Sequence, residues 1–250
     1  MVVQKEFTTY EETVGQVLDT LGAAGVFAGL ERILIKPNLV NASAYPVTTP
    51  VACVEALVMY IRKCATADIV IAEGCGAAEY DTGTVFEKLG YTELGKRLGI
   101  ELIDLNTAPV TKLSNASCRV FPEFYMPEIV MNHYLISVPV LKAHSLADMT
   151  GSLKNMMGAA PPRYYQKGGY WKKSAFHARM HQAIRELNRY RTPDLTIMDA
   201  TTGLAEYHLG GARCEPPLNI ILGGFNPLEV DRAGAALLGL DWRRIPHMAD

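Results

Sequence analysis

Residues 32–38 read Arg32-Ile33-Leu34-Ile35-Lys36-Pro37-Asn38, and this short stretch decides the fold class. Ile33, Leu34 and Ile35 form an apolar, largely β-branched run with no polar alternation. A strand exposed on one face alternates apolar with polar residues, so an unbroken run predicts a strand covered on both faces. Pro37 lacks an amide hydrogen and ends the run.

The pattern recurs on either side of this strand. A helix is predicted from near Thr9, with Tyr10, Val14, Val17, Leu18 and Leu21 at helical spacing and Gly22 after them. Thr48-Thr49-Pro50 predicts a capped helix start with proline in the first helical position, continuing through Val54, Leu57 and Ile61. Buried strands are predicted at 68–74, 100–105, 134–140, 195–200 and 218–224. Helices are predicted at 84–89, 91–98, 174–190 and 227–238. Strands alternating with helices imply an α/β fold: a mostly parallel sheet with helices on both faces, a Rossmann-like three-layer arrangement. Residues 106–131 contain Pro109, Pro122 and Pro127 and read as an irregular or antiparallel excursion. Residues 1–250 are expected to form a single domain, since no low-complexity linker or internal repeat divides them.

Composition narrows the function. The formal net charge is -2, without the basic excess by which nucleic-acid binders neutralise phosphates. Basic side chains do gather at 163–179 and 185–191, either as solvated faces or as anion contacts. No apolar run is long enough to cross a bilayer, and the polar N-terminus lacks the layout of a signal peptide, so a cytoplasmic protein with no membrane partner is expected. The five cysteines (53, 64, 75, 118 and 214) include no CxxC, which argues against a disulfide framework, a zinc knuckle and a cluster-ligating run.

Open parallel sheets bind ligands beyond the carboxyl ends of their strands. Lys36 and Asn38, Glu73, Lys142 and His144, and Asp199 all fall at such ends. An alkylammonium and an imidazole leaving one strand, Lys142-Ala143-His144, can hold an anion and move a proton. Thr150-Gly151-Ser152-Leu153-Lys154-Asn155 follows, a turn that resembles a phosphate or carboxylate cradle with a helix predicted from near Ser152. It lacks the spacing of a Walker A loop. His177 and His181, four apart on a predicted helix, would share a face and either chelate a metal or decorate the surface. The segment from Met156 to Trp171, rich in glycine and proline, is expected to act as a lid.

The strings IKPNLV (35–40), TTPVACVEALV (48–58), VPVLKAHSLADMTGSLKNMMG (138–158), PDLTIMDATTGL (193–204) and NPLEVDRAGAALLGLD (226–241) resemble the microbial family called domain of unknown function 362. Many relatives look like proteins of anaerobes that carry ferredoxin-type iron–sulfur modules. This chain has no cluster motif, so the resemblance implies a ferredoxin-type protein as redox partner. Relatives also often run on past the position of Met248, which implies a shortened C-terminus here. The stretch from His144 to Lys154 is also similar to the lactate racemase family, in which a lysine after a glycine turn tethers a nickel-pincer nucleotide. That similarity implies Lys154 as tether and His144 as a proton-transfer group. The Pro-Gly that usually follows the lysine is replaced here by Met156-Met157-Gly158.

Two functional readings follow from the residues. One is an enzyme acting on a small anionic molecule. Lys36, Asn38, Lys142, Thr150, Gly151, Lys154 and Asn155 would bind the anion, with Lys154 also near the chemistry. His144 would serve as general acid or base, and Asp199 or Glu73 would orient it. The other is a non-catalytic module that binds a metal, a cofactor or a redox partner. The residues leave the identity of any cofactor and the oligomeric state open.

Overall fold

The computed structural model describes residues 1–249. In chain order it runs β1 (Val3–Glu6), α1 (Tyr10–Leu21), α2 (Ala23–Phe27), β2 (Arg32–Pro37), α3 (Val51–Cys64), β3 (Asp68–Glu73), α4 (Thr82–Lys88), α5 (Tyr91–Leu98) and β4 (Glu101–Asp104). Next come β5 (Val110–Ser114), β6 (Glu123–Pro127), α6 (Glu128–Asn132), β7 (Tyr134–Val138), β8 (Val140–His144), β9 (Asp148–Thr150), α7 (Ser152–Asn155) and α8 (Pro162–Tyr165). The chain continues with α9 (Met180–Tyr190), β10 (Leu195–Leu204), β11 (Ile220–Gly224) and α10 (Pro227–Leu237). Turns of 3-10 helix cover Met156–Ala159, Ser174–Arg179 and Trp242–Arg244.

The main sheet has the order β1-β11-β10-β7-β2-β3-β4. Its centre is parallel, with β10 beside β7, β7 beside β2, β2 beside β3 and β3 beside β4. The reading of β2 holds residue by residue. Ile33 and Ile35 pack with Val14, Val17 and Leu57 on one face. Leu34, between them, packs with Phe124, Met156 and Ile184 on the other. Both faces are therefore covered, as an α/β sheet requires.

Three features depart from strict βα alternation. No helix separates β10 from β11, so β11 returns antiparallel, and β1 adds antiparallel beyond it. Parallel pairing would need a crossover that residues 205–219 do not supply. The 106–131 excursion contains the antiparallel pair β5–β6, which forms its own two-stranded sheet. Past Pro139 the chain leaves β7 and continues as β8, which pairs with β10 and folds back on β9.

Helix starts follow local chemistry. Thr9 caps α1, its hydroxyl accepting the Glu12 amide hydrogen, and Gly22 closes that helix in the left-handed region. Pro50 stands one position before the first residue of α3 rather than inside it. Thr49 is engaged elsewhere: its hydroxyl donates to the Val138 carbonyl and accepts the Asn38 amide hydrogen. That contact ties the loop after β2 to the end of β7.

Candidate functional site

The floor of the site is a buried ion pair. Lys36 Nζ lies 2.8 and 2.9 Å from the two Glu73 oxygens. The carboxylate also accepts the Leu39 and Gly74 amide hydrogens. Burial pushes the Lys36 ammonium below its ordinary value, against the pull of Glu73. Asn155 locks the pair to β7: its Oδ1 accepts from Lys36 and Asn38, and its Nδ2 donates to Lys36 O and Ser137 Oγ. The backbone at Gly158 passes directly over the pair. A Cβ there would stand 1.8 Å from Glu73 Oε1 and 2.5 Å from Lys36 Nζ.

The hairpin of β8 and β9 builds one wall. Lys142 and His144 are two apart on β8 and so share a face, and Thr150 is the cross-strand partner of Lys142. Lys142 Nζ donates to Asn38 Oδ1 at 2.6 Å and to the Val47 carbonyl. Burial, then the charge of Lys154, lowers its pKa to about 7. His144 Nδ1 accepts the Leu146 amide hydrogen at 3.0 Å, which assigns the proton of the neutral ring to Nε2. Burial first, then Lys154, holds this imidazole far below the usual histidine range. Its ring stacks on His208 with centroids 3.8 Å apart.

Lys154 projects from α7, and a carboxylate from α10 fixes that short helix. Asp231 Oδ1 accepts the Ser152 amide hydrogen at 2.6 Å, and Oδ2 accepts that of Leu153 at 2.9 Å. A Cβ on residue 151 would lie 2.3 Å from Asp231 Oδ1, so Gly151 makes room for this contact. In the expected cradle the amides of Ser152 and Leu153 are therefore taken by the chain's own Asp231 and are not available to a ligand. Lys154 itself has no hydrogen-bond or ion-pair partner among the described residues, and burial lowers its pKa to about 8.

These residues converge on a cleft of about 170 Å³, where the lining includes Asn38, Glu73, Lys142, His144, Thr150, Lys154 and Asn155. That volume is comparable to the ~150 Å³ that takes a benzene-sized guest. Trp171 from the end of the expected lid, Lys173 from the basic cluster at 163–179 and His177 also line it, as do two residues not singled out from sequence, Tyr207 and His208. Lys173 Nζ donates to Asn106 Oδ1 and to the Ala160 carbonyl, and burial lowers its pKa to about 7. His208 has a pKa of about 3, lowered by burial and then by Lys154, and its Nδ1 is buried without a partner. Thr150 Oγ1 is likewise buried and unpartnered. Among the described residues, the one carboxylate lining the cleft, Glu73, is matched by Lys36, so Lys142, Lys154 and Lys173 leave it cationic.

Three expectations are corrected. Asp199 does not reach the cleft. Strand β10 continues to Leu204, so Asp199 lies mid-strand, fully buried, hydrogen-bonded by Tyr10 and Tyr45 hydroxyls. His177 and His181 do not share a helix face, because His177 lies in a 3-10 turn and α9 begins at Met180. His177 lines the cleft, whereas His181 pairs with His247 through their Nδ1 atoms at 2.9 Å. Among the described residues, no three metal-ligating side chains converge. The first half of the expected lid is core: Met156, Ala159, Ala160 and Tyr165 are buried with Phe124 and Phe176. Exposure is continuous only over residues 166–170, with Arg163 exposed before them.

The sequence model of the family described as Domain of unknown function (DUF362) matches residues 33–236. Among solved structures, the lactate racemase apoprotein from Thermoanaerobacterium thermosaccharolyticum is similar, with a TM-score of 0.56 at 11% identity. The match covers 94% of this chain and 56% of that one, so the chain spans little more than half of its neighbour's length. At that identity the likeness concerns the fold. No curated protein matches the sequence. Among the described residues, no helix is long and apolar enough to cross a membrane.

Proposed function

This chain belongs to the DUF362 family, and from that premise we propose that it is an enzyme acting on a small molecule that carries a carboxylate or phosphate, held at Lys154. One observation carries the reading. Lys154 Nζ has no partner among the described residues, and Thr150 Oγ1 and His208 Nδ1, on the same cleft, are buried without one. Buried polar atoms such as the Thr150 hydroxyl and the His208 nitrogen are nearly always paired, and each unpaired one costs about 1–3 kcal/mol, whereas Lys154 is half-buried and lines the open cleft. A bound anion would satisfy the ammonium and the hydroxyl together.

The remaining roles follow from hydrogen bonding. His144 presents Nε2–H and acts as a neutral donor to the ligand, because its Nδ1 is taken by Leu146. The ring nitrogen left to accept a proton is His208 Nδ1, which has no partner among the described residues and whose low pKa a bound anion would raise. Lys142 and Lys173, each held by two oxygen acceptors, add positive potential. Glu73 keeps Lys36 in place and takes no proton from the ligand. The cleft draws on residues from Asn38 to His208, which favours one domain working as a unit.

The racemase resemblance implies a nucleotide tethered at Lys154. Sites for drug-sized ligands span roughly 300–1,000 Å³, and this open cleft of about 170 Å³ favours a ligand smaller than a nucleotide. A ligand of few atoms is the better match.

Calorimetric titration with phosphate, sulfate and acetate tests the proposal. Lys154→Ala should weaken binding by ~1.5–3 kcal/mol, the scale of a hydrogen bond to a charged group. Equal affinities in the two proteins, or no binding by either, would remove the reading.

A further inference from the structure

We infer that Lys154 is a nucleophile, forming a Schiff base through Nζ with the carbonyl carbon of a small oxo acid whose carboxylate is held by the cationic cleft. This inference rests on the anion-binding reading of the same cleft and names its substrate class.

The three lysines that line the cleft are not equivalent. Lys142 is held by Asn38 Oδ1 and the Val47 carbonyl, and Lys173 by Asn106 Oδ1 and the Ala160 carbonyl. Acceptors on two sides occupy these amines and fix their direction. Among the described residues, Lys154 has no acceptor, and the one carboxylate in the cleft is bound to Lys36 and two amide hydrogens. Nothing beside Lys154 stabilises its charge, and its neighbour Lys142 repels it. Burial lowers all three, Lys142 and Lys173 to about 7 and Lys154 to about 8, so each supplies neutral amine near neutral pH, and what sets Lys154 apart is a nitrogen engaged by no acceptor among the described residues. Desolvation beside other cations is the condition under which lysines attack carbonyls.

The chemistry balances within the site. The Nζ lone pair forms the C–N bond as the carbonyl π pair moves to oxygen, which takes a proton to give the carbinolamine. His144 Nε2–H can hydrogen-bond that oxygen as charge develops on it. Protonation and loss of water break the C–O bond and leave the iminium, so amine, oxo acid and one proton give iminium and water. No oxidant or reductant is needed. The iminium then acidifies the adjacent carbon, and His208 Nδ1 is an unpartnered base in the same cleft.

Trapping with sodium cyanoborohydride tests this on the full chain, with pyruvate, 2-oxoglutarate and acetoacetate as probes and acetate as a control without a carbonyl. The expected result is one reduced adduct, mapped by peptide mass spectrometry to Lys154, formed faster at pH 8 than at pH 6. Lys154→Arg should lose the adduct completely, whereas Lys167→Arg, exposed and outside the cleft lining, should keep both the adduct and acetate binding. An unmodified Lys154 in a wild type that binds acetate would overturn the nucleophile and leave anion binding intact. Adducts spread over surface lysines at equal rates would do the same. A wild type that binds no acetate and forms no adduct would overturn both readings.

Discussion

The carboxylate of Asp231 receives the amide hydrogen of Ser152 at 2.6 Å, so an α10 side chain occupies the start of the helix that carries Lys154. The neighbouring Leu153 amide completes the contact at 2.9 Å. Two buried donors, one buried carboxylate and a glycine that leaves room for it form one unit. Its effect is to set where Lys154 leaves the backbone.

Removing this carboxylate should be costly. Asp231→Ala leaves the two amide hydrogens without acceptors, at about 1–3 kcal/mol for each orphaned donor. Burial raises the Asp231 pKa to about 7, against the pull of the two amides. The folded state thus holds this proton more tightly than the unfolded chain does. The stability it contributes is full below pH ~4, the ordinary carboxyl value, and is lost as pH rises to about 7. Urea titrations between pH 4 and 8 should show that part of the slope in wild type and not in Asp231→Ala. Identical slopes would show that Asp231 does not titrate in this window.

Much of the fold was legible in local pattern, because burial on both faces leaves a signature in one strand. Ile33-Leu34-Ile35 carried it, and Pro109, Pro122 and Pro127 marked the segment that holds β5 and β6. The site was legible only in part. Asn38, Glu73, Lys142, His144 and Lys154 were found from their places at or after strand ends, and they line one cleft. Asp231 was not, since its partner lies 79 residues away and no periodicity links them. Lys172 and Lys173 are indistinguishable in sequence, yet the first bonds to the Tyr80 carbonyl and the second to Asn106. The apolar run ends near Asp199, but the strand does not: β10 continues to Leu204 and keeps Asp199 inside the sheet.

Gly158 offers a test of the floor. Its substitution by alanine would drive a methyl group into the Lys36–Glu73 pair. Overpacking of this kind costs about 1–3 kcal/mol, and displacing one ion of a buried pair costs more. Gly158→Ala should therefore lower the melting temperature clearly. Gly25→Ala, in α2 with nothing within 4 Å of the new Cβ, should leave it unchanged or raise it. Equal melting temperatures for the two variants would contradict the tight passage over the pair.

Anion affinity should depend on pH in a range where ordinary lysines do not titrate. Lys142 and Lys154 have pKa values of about 7 and about 8, both lowered chiefly by burial. Sulfate remains a dianion across this range, so changes in its affinity report the protein. Binding should be strongest below pH 7 and weaken as pH rises through 7 and 8, when the ammonium groups lose their protons. Titrations at pH 6, 7, 8 and 9 would check it, and a flat profile would show that both lysines stay charged.

The last prediction concerns the state of His144. Its Nδ1 accepts the Leu146 amide hydrogen, so a second ring proton would set N–H against N–H. Burial and the nearby charge of Lys154 oppose protonation as well. A depressed histidine pKa means that the folded state binds fewer protons than the unfolded chain. The stability this group contributes is therefore present above pH ~6.5 and is lost as pH falls below it. Nitrogen-15 spectra of the imidazoles should show His144 as the neutral Nε2–H form at pH 7, with no titration down to pH 5. His144→Asn should lose less stability than wild type between pH 7 and 5, because the asparagine has no proton to exclude. It should also bind sulfate more weakly by about 0.5–1.5 kcal/mol, the net worth of a hydrogen bond. A His144 that titrates near 6.5 in those spectra would mean that Nδ1 is not held by Leu146. The ring would then be free to act as a general base, and the division of labour with His208 would have to be reversed.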